Sequence, residues 1–251
     1  MSRIVEDKIM ERTEFKSHIS EQLNRNLEDL FNQVLEMGGL VERQLEDAVK
    51  AVQSGDVNLA KEVLQLDKVI NKEEMEIDRL CARVLARQQP TASDLRLIII
   101  AIRIAVDLER MGDEVVKAAK FVIKMGEYDF NCLDLPGYNH LIEITTCANT
   151  MLKTVLNAFA RLDLSDLMSV IEDEERMDDS LSAATDEVLA GFKENHFAPE
   201  CLLEMVYSLR ASERVTDHAA NIAESIIYLV EGRDVRNIDP ERLSEFLSNL
   251  D

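Results

Sequence analysis

Leu95-Arg-Leu-Ile-Ile-Ile-Ala-Ile-Arg-Ile-Ala-Val-Asp-Leu-Glu-Arg-Met-Gly-Asp113 is the stretch that decides the fold. Apolar residues recur at helical spacing through Leu95, Ile99, Ile102 and Val106. The same line continues through Glu109, Asp113, Val116, Lys120 and Ile123. Thr91 stands where an N-cap belongs, with Asp94 three residues on, and Gly126 offers a C-terminal stop. The spacing predicts one helix of about 34 residues, roughly 50 Å long. Two carboxylates one turn apart, on a line expected to be an apolar seam, make this helix the place to look for function as well as fold.

Working towards the N-terminus, Pro90 stops a second periodic segment over 57–88, which runs through Leu59, Val63, Leu66, Ile70, Ile77, Leu80 and Val84. Gly55-Asp56 separates it from a first helix that begins after Ser17 to Ser20 and continues to Val52, with Gly38-Gly39 as a soft point. Working towards the C-terminus, turn formers collect over 127–137, and helices are expected over 138–162, 165–195 and 199–231. An offset of 107 places Asp67 on Glu174 and Asn71 on Asp178, and an offset of 104 places Glu109, Arg110 and Asp113 on Glu213, Arg214 and Asp217. The expected fold class is all-α: two tandem three-helix bundles, six long helices in all, related by internal duplication. The expected divisions are an N-terminal tail at 1–17, bundles at 18–130 and 136–232, and a C-terminal tail at 233–251.

Composition agrees with helices, since 251 residues include only 8 Gly and 4 Pro, with 5% aromatics and 46% apolar residues. With 28 Lys and Arg against 49 Asp and Glu, the formal charge of −21 argues against nucleic acid and against direct contact with anionic lipid. No leader-like apolar stretch opens the sequence, and no apolar run approaches the ~20 residues of a spanning helix. The expectation is a cytoplasmic protein that meets a membrane only through partners. Cys81, Cys132, Cys147 and Cys201 form no C-x-x-C pair and read as reduced thiols. The methionines, Met37, Met75, Met111, Met125 and Met177 among them, read as core filler.

The candidate site residues are Asp67 and Asn71 facing Glu109 and Asp113, and Glu174 and Asp178 facing Glu213 and Asp217. Each set offers oxygen ligands at i, i+4 spacing from two neighbouring helices. Carboxylates so placed repel one another and resist ionising unless a cation compensates, and a divalent or trivalent metal ion (Mg, Mn, Fe or Zn) does so. Solvated charges paired with Arg110 and Arg214 are the plainer account of the same residues, and Asn221 is a further candidate oxygen. A di-iron carboxylate enzyme requires Glu-x-x-His, but the residues three before His18, His140, His196 and His218 are Phe15, Gly137, Lys193 and Val215. His218, beside Asp217, is a candidate ligand, with a lone surface histidine as the plainer account. No phosphate-binding loop or nucleophile motif occurs, so no catalysis is expected.

Asp107-Leu-Glu-Arg-Met-Gly-Asp113 and Ser212-Glu-Arg-Val-Thr-Asp-His-Ala-Ala-Asn-Ile222 resemble the duplicated signature of the PhoU family of phosphate-uptake regulators. Leu40-Val-Glu-Arg-Gln-Leu-Glu-Asp-Ala48 and Arg87-Gln-Gln-Pro-Thr-Ala-Ser-Asp-Leu-Arg-Leu97 resemble it as well. The resemblance implies a non-enzymatic negative regulator of phosphate uptake and of the phosphate-starvation (Pho regulon) response. Its implied partners are the sensor histidine kinase of the phosphate two-component system and the ATP-binding subunit of the phosphate ABC transporter, with a homodimer as the implied assembly. It also implies metal binding through E(D)-x-x-x-D motifs, which on matching positions are Glu109 with Asp113 and Glu213 with Asp217. Asn71 replaces a charged ligand, and Thr216 stands where the first repeat has Gly112. A metal-binding helical bundle serving metal homeostasis, without a regulatory role, is the alternative.

Overall fold

The computed structural model describes residues 21–90, 92–128, 134–194, 196–236 and 238–249. Its helices are α1 (Glu21–Ser54), α2 (Val57–Arg87), α3 (Ala92–Glu127), α4 (Tyr138–Arg161), α5 (Leu167–Glu194), α6 (Pro199–Glu231) and α7 (Pro240–Ser248), and the described residues contain no strand. Their ends follow local chemistry. Asp56 caps α2 by accepting from the backbone N–H groups of Asn58 at 2.8 Å and Leu59 at 3.1 Å. Pro199 opens α6, and Gly232, in the left-handed region, closes it. The expected cap at Thr91 lies outside the described residues, as do Cys132 and part of the 127–137 connection.

Helices α1, α2 and α3 pack on one another, and α4, α5 and α6 repeat the arrangement. The halves meet through α3 on α6 and α1 on α4, so α2, α3, α6 and α5 form one layer, with α1 and α4 behind it. Cross-contacts fix the direction of α3 against α6. The Arg103 guanidinium lies 5.8 Å from the Tyr228 ring, Asp107 pairs with His218 at 3.0 Å, Glu114 with Arg214 at 3.5 Å, and Lys124 with Glu204 at 2.5 Å. Numbers rise along α3 as they fall along α6, so the two run antiparallel. α1 and α4 do the same: the Tyr138 hydroxyl donates to the Val52 carbonyl, Lys153 pairs with Glu46 at 2.5 Å, and Phe31 stacks on Phe159 at 4.5 Å. One apolar core runs through both halves.

Gly38 is a contact point in an unbroken α1 rather than a soft point. A Cβ there would stand 2.4 Å from Leu156 Cδ2, so its absence lets α4 close on α1. At the centre, Leu45, Ala48, Val115, Ala118, Thr145, Ala148, Ser212 and Val215 from four helices leave a void of only about 10 Å³.

The structure corrects several expectations. The buried stripe of α3 runs through Leu97, Ile98, Ala101, Ile104, Ala105, Leu108, Met111, Gly112 and Val115, whereas Leu95 and Ile99 are 40% and 38% exposed. The line carrying Glu109 and Asp113 is therefore the edge of the apolar face and not its centre. Helix α3 packs on α1, α2 and α6 together, so its buried face is wider than a two-row seam and is centred elsewhere. Met75 is exposed, unlike Met37, Met111, Met125 and Met177, because it faces away from both helices that α2 packs on. His218 is a half-buried partner of Asp107 and not a lone surface histidine. Within the expected C-terminal tail, α7 folds onto α5: Asp239 caps it, Leu243 is buried, and Arg233 lies over the Phe246 ring at 4.7 Å. Cys81, Cys147 and Cys201 are free and buried, and burial pushes the Cys81 thiol up to about 12 and that of Cys147 up to about 11. No described helix is long and apolar enough to cross a membrane.

Candidate metal centres

In the first half, α2 supplies Asp67 and Asn71, and α3 supplies Glu109 and Asp113. Asp67 Oδ1 and Asn71 Oδ1 are buried and without hydrogen-bond partners, as is Gln44 Oε1 from α1. A Cβ at Gly112 would lie 3.1 Å from Gln44 Oε1 and 3.5 Å from Asp67 Oδ1, so the glycine lets these oxygens approach the α3 backbone. Burial, and then the charge of Asp113, raise the Asp67 carboxyl above its usual range, partly offset by Gln44 and Lys120. Burial also raises Glu109, with Asp113 and Glu74 adding to it against Arg110. Glu74, seven residues after Asp67 and on the same face of α2, is raised by burial and by Asp78.

The second half repeats the geometry with more charge. One carboxylate oxygen from each of Glu174, Asp178 and Asp217 comes within 4.8 Å of the others, the one such group of potential metal ligands among the described residues. Burial, then Asp178 and Asp217, push Glu174 up to about 7. Glu213 also rises to about 7, through burial, the charge of Asp217 and a hydrogen bond with Asp178. Burial and then Asp178 raise Asp217, against His218 and Arg214. Thr216, where the first half has Gly112, is buried and donates its hydroxyl to the Glu213 carbonyl at 2.5 Å.

Asp67, Glu109 and Asp113 thus share the α2–α3 crevice, with Asn71 one turn on from Asp67, and Glu174, Asp178, Glu213 and Asp217 share the α5–α6 crevice. Among the described residues no Lys or Arg forms an ion pair with any of these carboxylates. Arg214, a partner of the plainer account, pairs with Glu114 across the α3–α6 contact and reaches Asp217 only through its charge. Sequence reasoning missed Gln44 and Glu74 in the first centre and Glu224 in the second. Glu224 acts on Glu174 and is itself raised, by burial first and then by Asp234 and Asp107 against Arg236. The signal was present, because Glu74 and Glu224 each continue the carboxylate face by seven residues, from Asp67 and Asp217. Asn221 is exposed.

Orphaned buried acceptors and crowded, proton-retaining carboxylates are what an all-oxygen cation site presents without its cation. The PhoU domain profile matches residues 34–122 and again 141–226, one match over each centre. The chain belongs to the PhoU family. Among PhoU relatives, the phosphate-specific transport system accessory protein PhoU homolog of Pseudomonas aeruginosa is 42% identical over 233 residues, covering 92% of this chain and 95% of the relative. The PhoU accessory protein of Escherichia coli K12 is 33% identical over 242 residues, covering 96% and 99%. The crystal structure of PhoU from Pseudomonas aeruginosa superposes with a TM-score of 0.79 at 41% identity, covering 84% of this chain and all of that one. The phosphate transport system regulatory protein PhoU of Streptococcus pneumoniae gives 0.75 at 29% identity, covering 85% and 99%. Both neighbours share the all-α architecture. These relatives are named as accessory and regulatory proteins of phosphate transport, a non-enzymatic role in line with the expectation above.

Proposed function

We propose that this chain is an accessory protein of a phosphate-specific transport system that acts as a negative regulator of phosphate uptake and of the phosphate-starvation response. In this reading it works in the cytoplasm as a homodimer, joining the ATP-binding subunit of the phosphate ABC transporter to the sensor histidine kinase. What supports the reading is that similarity to PhoU proteins runs over nearly the whole chain and includes both carboxylate centres. A chain of charge −21 repels free phosphate, so phosphate status reaches it through partners or through bound metal.

Each centre holds a divalent or trivalent cation in this proposal: Asp67, Asn71, Glu109 and Asp113 in the first, Glu174, Asp178, Glu213 and Asp217 in the second. Oxygen-only donors favour Mg, Mn or Fe over Zn. The cation clamps two helices of a bundle, and a partner that prefers the clamped arrangement shifts the population towards it. Secreted phosphatase activity in phosphate-rich medium tests the regulatory role. Deletion should raise it and the intact protein should restore repression, while unchanged low activity in the deletion strain would sink the reading. Elemental analysis of the purified protein, beside Asp178→Asn/Asp217→Asn, tests the metal separately.

A further inference from the structure

We propose that the outer ends of α5 and α6 form a docking surface for an amphipathic helix of a partner protein. Its apolar side would sit on Leu189, Phe192, Leu203 and Tyr207, and its basic flanks would face an acidic rim. The inference rests on the adaptor reading above and gives it a place on the molecule.

The surface is a continuation of the second carboxylate crevice. From Glu174 and Asp178, the α5 face that meets α6 continues at helical spacing through Leu181 and Thr185 to Leu189 and Phe192. From Asp217 and Glu213, the facing side of α6 runs back through Arg210 and Val206 to Leu203, with Tyr207 beside it. The helices are close there, since a Cβ on Gly191 would lie 3.4 Å from Leu202 Cδ2. Leu189 is 52% exposed, Phe192 40%, Leu203 45% and Tyr207 57%. Single exposed apolar side chains are ordinary, but four large ones at one pair of helix ends, two of them aromatic, form a patch of the kind that carries binding energy. Two parallel ridges of such residues offer a groove into which a third helix lays its apolar side.

Charge selects the occupant. Along the stretch that carries the patch, residues 186–210, Asp186, Glu187, Glu194, Glu200 and Glu204 outnumber Lys193 and Arg210. The duplicated end in the first half differs in both respects. There Leu85, Leu95 and Ile99 are exposed aliphatics, and the surrounding charges are Arg83, Arg87 and Arg96. Helices α3 and α6 are antiparallel, so the two ends lie at opposite extremes of the molecule, and a helix with basic flanks is attracted to one and repelled by the other.

The test uses the full chain and, as probe, a fluorescein-labelled Leu/Lys amphipathic helical peptide of about 18 residues. Anisotropy should show saturable binding. Phe192→Ser/Tyr207→Ser, which keeps every charge, should weaken it at least about tenfold, while Leu85→Ser/Ile99→Ser should leave it unchanged. Circular dichroism checks that helix content is retained in each. Equal peptide binding by the Phe192/Tyr207 variant would overturn the proposal. So would sedimentation showing that this variant dissociates a dimer of the chain, since a second copy would then occupy the patch. Co-precipitation with the purified ATP-binding subunit and with the kinase's cytoplasmic portion separates this inference from the adaptor reading. Capture of a partner by the intact protein and not by the Phe192/Tyr207 variant supports both. Equal capture by both proteins overturns the surface and leaves the adaptor standing. Peptide discrimination with no capture of either partner supports the surface and removes the adaptor reading.

Discussion

The α2–α3 and α5–α6 centres occupy equivalent places in a duplicated fold, yet only the second brings three carboxylates to within 4.8 Å of one another. The first carries Asn71 where the second carries Asp178, and Gly112 where the second carries Thr216. It satisfies its geometry with neutral oxygens, Asn71 Oδ1 and Gln44 Oε1, left without partners. The second leaves its tension in protons, with Glu174 and Glu213 both pushed up to about 7. If both centres hold the proposed cation, one backbone scaffold supports two different balances between proton and metal, set by the number of charges in the crevice.

The largest effect that would break this comparison is on metal binding. Asp178→Asn/Asp217→Asn should weaken Mn binding at the second centre by roughly a hundredfold, and Asp67→Asn should weaken the first by about tenfold, read by titration calorimetry. Equal losses would mean that charge count does not distinguish the centres. The next effect is in pH. Glu174 and Glu213 bind protons more tightly folded than unfolded, so their contribution to stability is full below about 4.5 and is lost as pH rises through about 7. Metal-free protein should therefore melt at a higher temperature near pH 5.5 than near pH 8, and added Mn should reverse that order. A melting temperature that rises with pH in the metal-free protein would contradict the assignment. Asn71→Asp sharpens the comparison from the other side, by making the first centre resemble the second. It should raise Mn affinity there by about tenfold and lower the melting temperature of the metal-free protein at pH 8. The smallest effect concerns the joint that holds the centres in register. Gly38→Ala should cost about 1–3 kcal/mol in denaturant titrations, because its Cβ meets Leu156, whereas Gly39→Ala, with open space around it, should gain up to about 1 kcal/mol.

Much of this was legible in the sequence, and the misses have physical causes. The helices could be placed to within a few residues because Gly55-Asp56, Pro90, Gly137, Pro199 and Gly232 stand at their ends and the apolar period between them is regular. The buried centre of α3 was not legible, because a helix with three neighbours buries a broad face and several rows fit the same apolar period. Repeat arithmetic located the two carboxylate faces, since offsets of 107 and 104 superimpose acidic residues without any structure. Gln44 lies inside the Leu40–Ala48 segment that resembles the family signature, but nothing in the spacing of α2 or α3 points to α1, so its approach to the first crevice was out of reach. Glu74 and Glu224 were readable as one more step along those faces. Helix α7 was readable too, through Asp239 as its cap and Pro240 at its first turn, but nine residues are too few for a period to stand out.

The antiparallel α3–α6 contact gives the molecule the form of a two-fold homodimer whose subunits have been joined end to end. In a true dimer that interface would dissociate on dilution, and any substitution would appear in both copies at once. Fusion removes both constraints. The association becomes unimolecular, held at an effective concentration fixed by the short connection after α3, and each half is free to change without the other. A residue such as Asn71 can then persist in one copy while its counterpart stays acidic, and an arginine-rimmed end can face away from an acidic one.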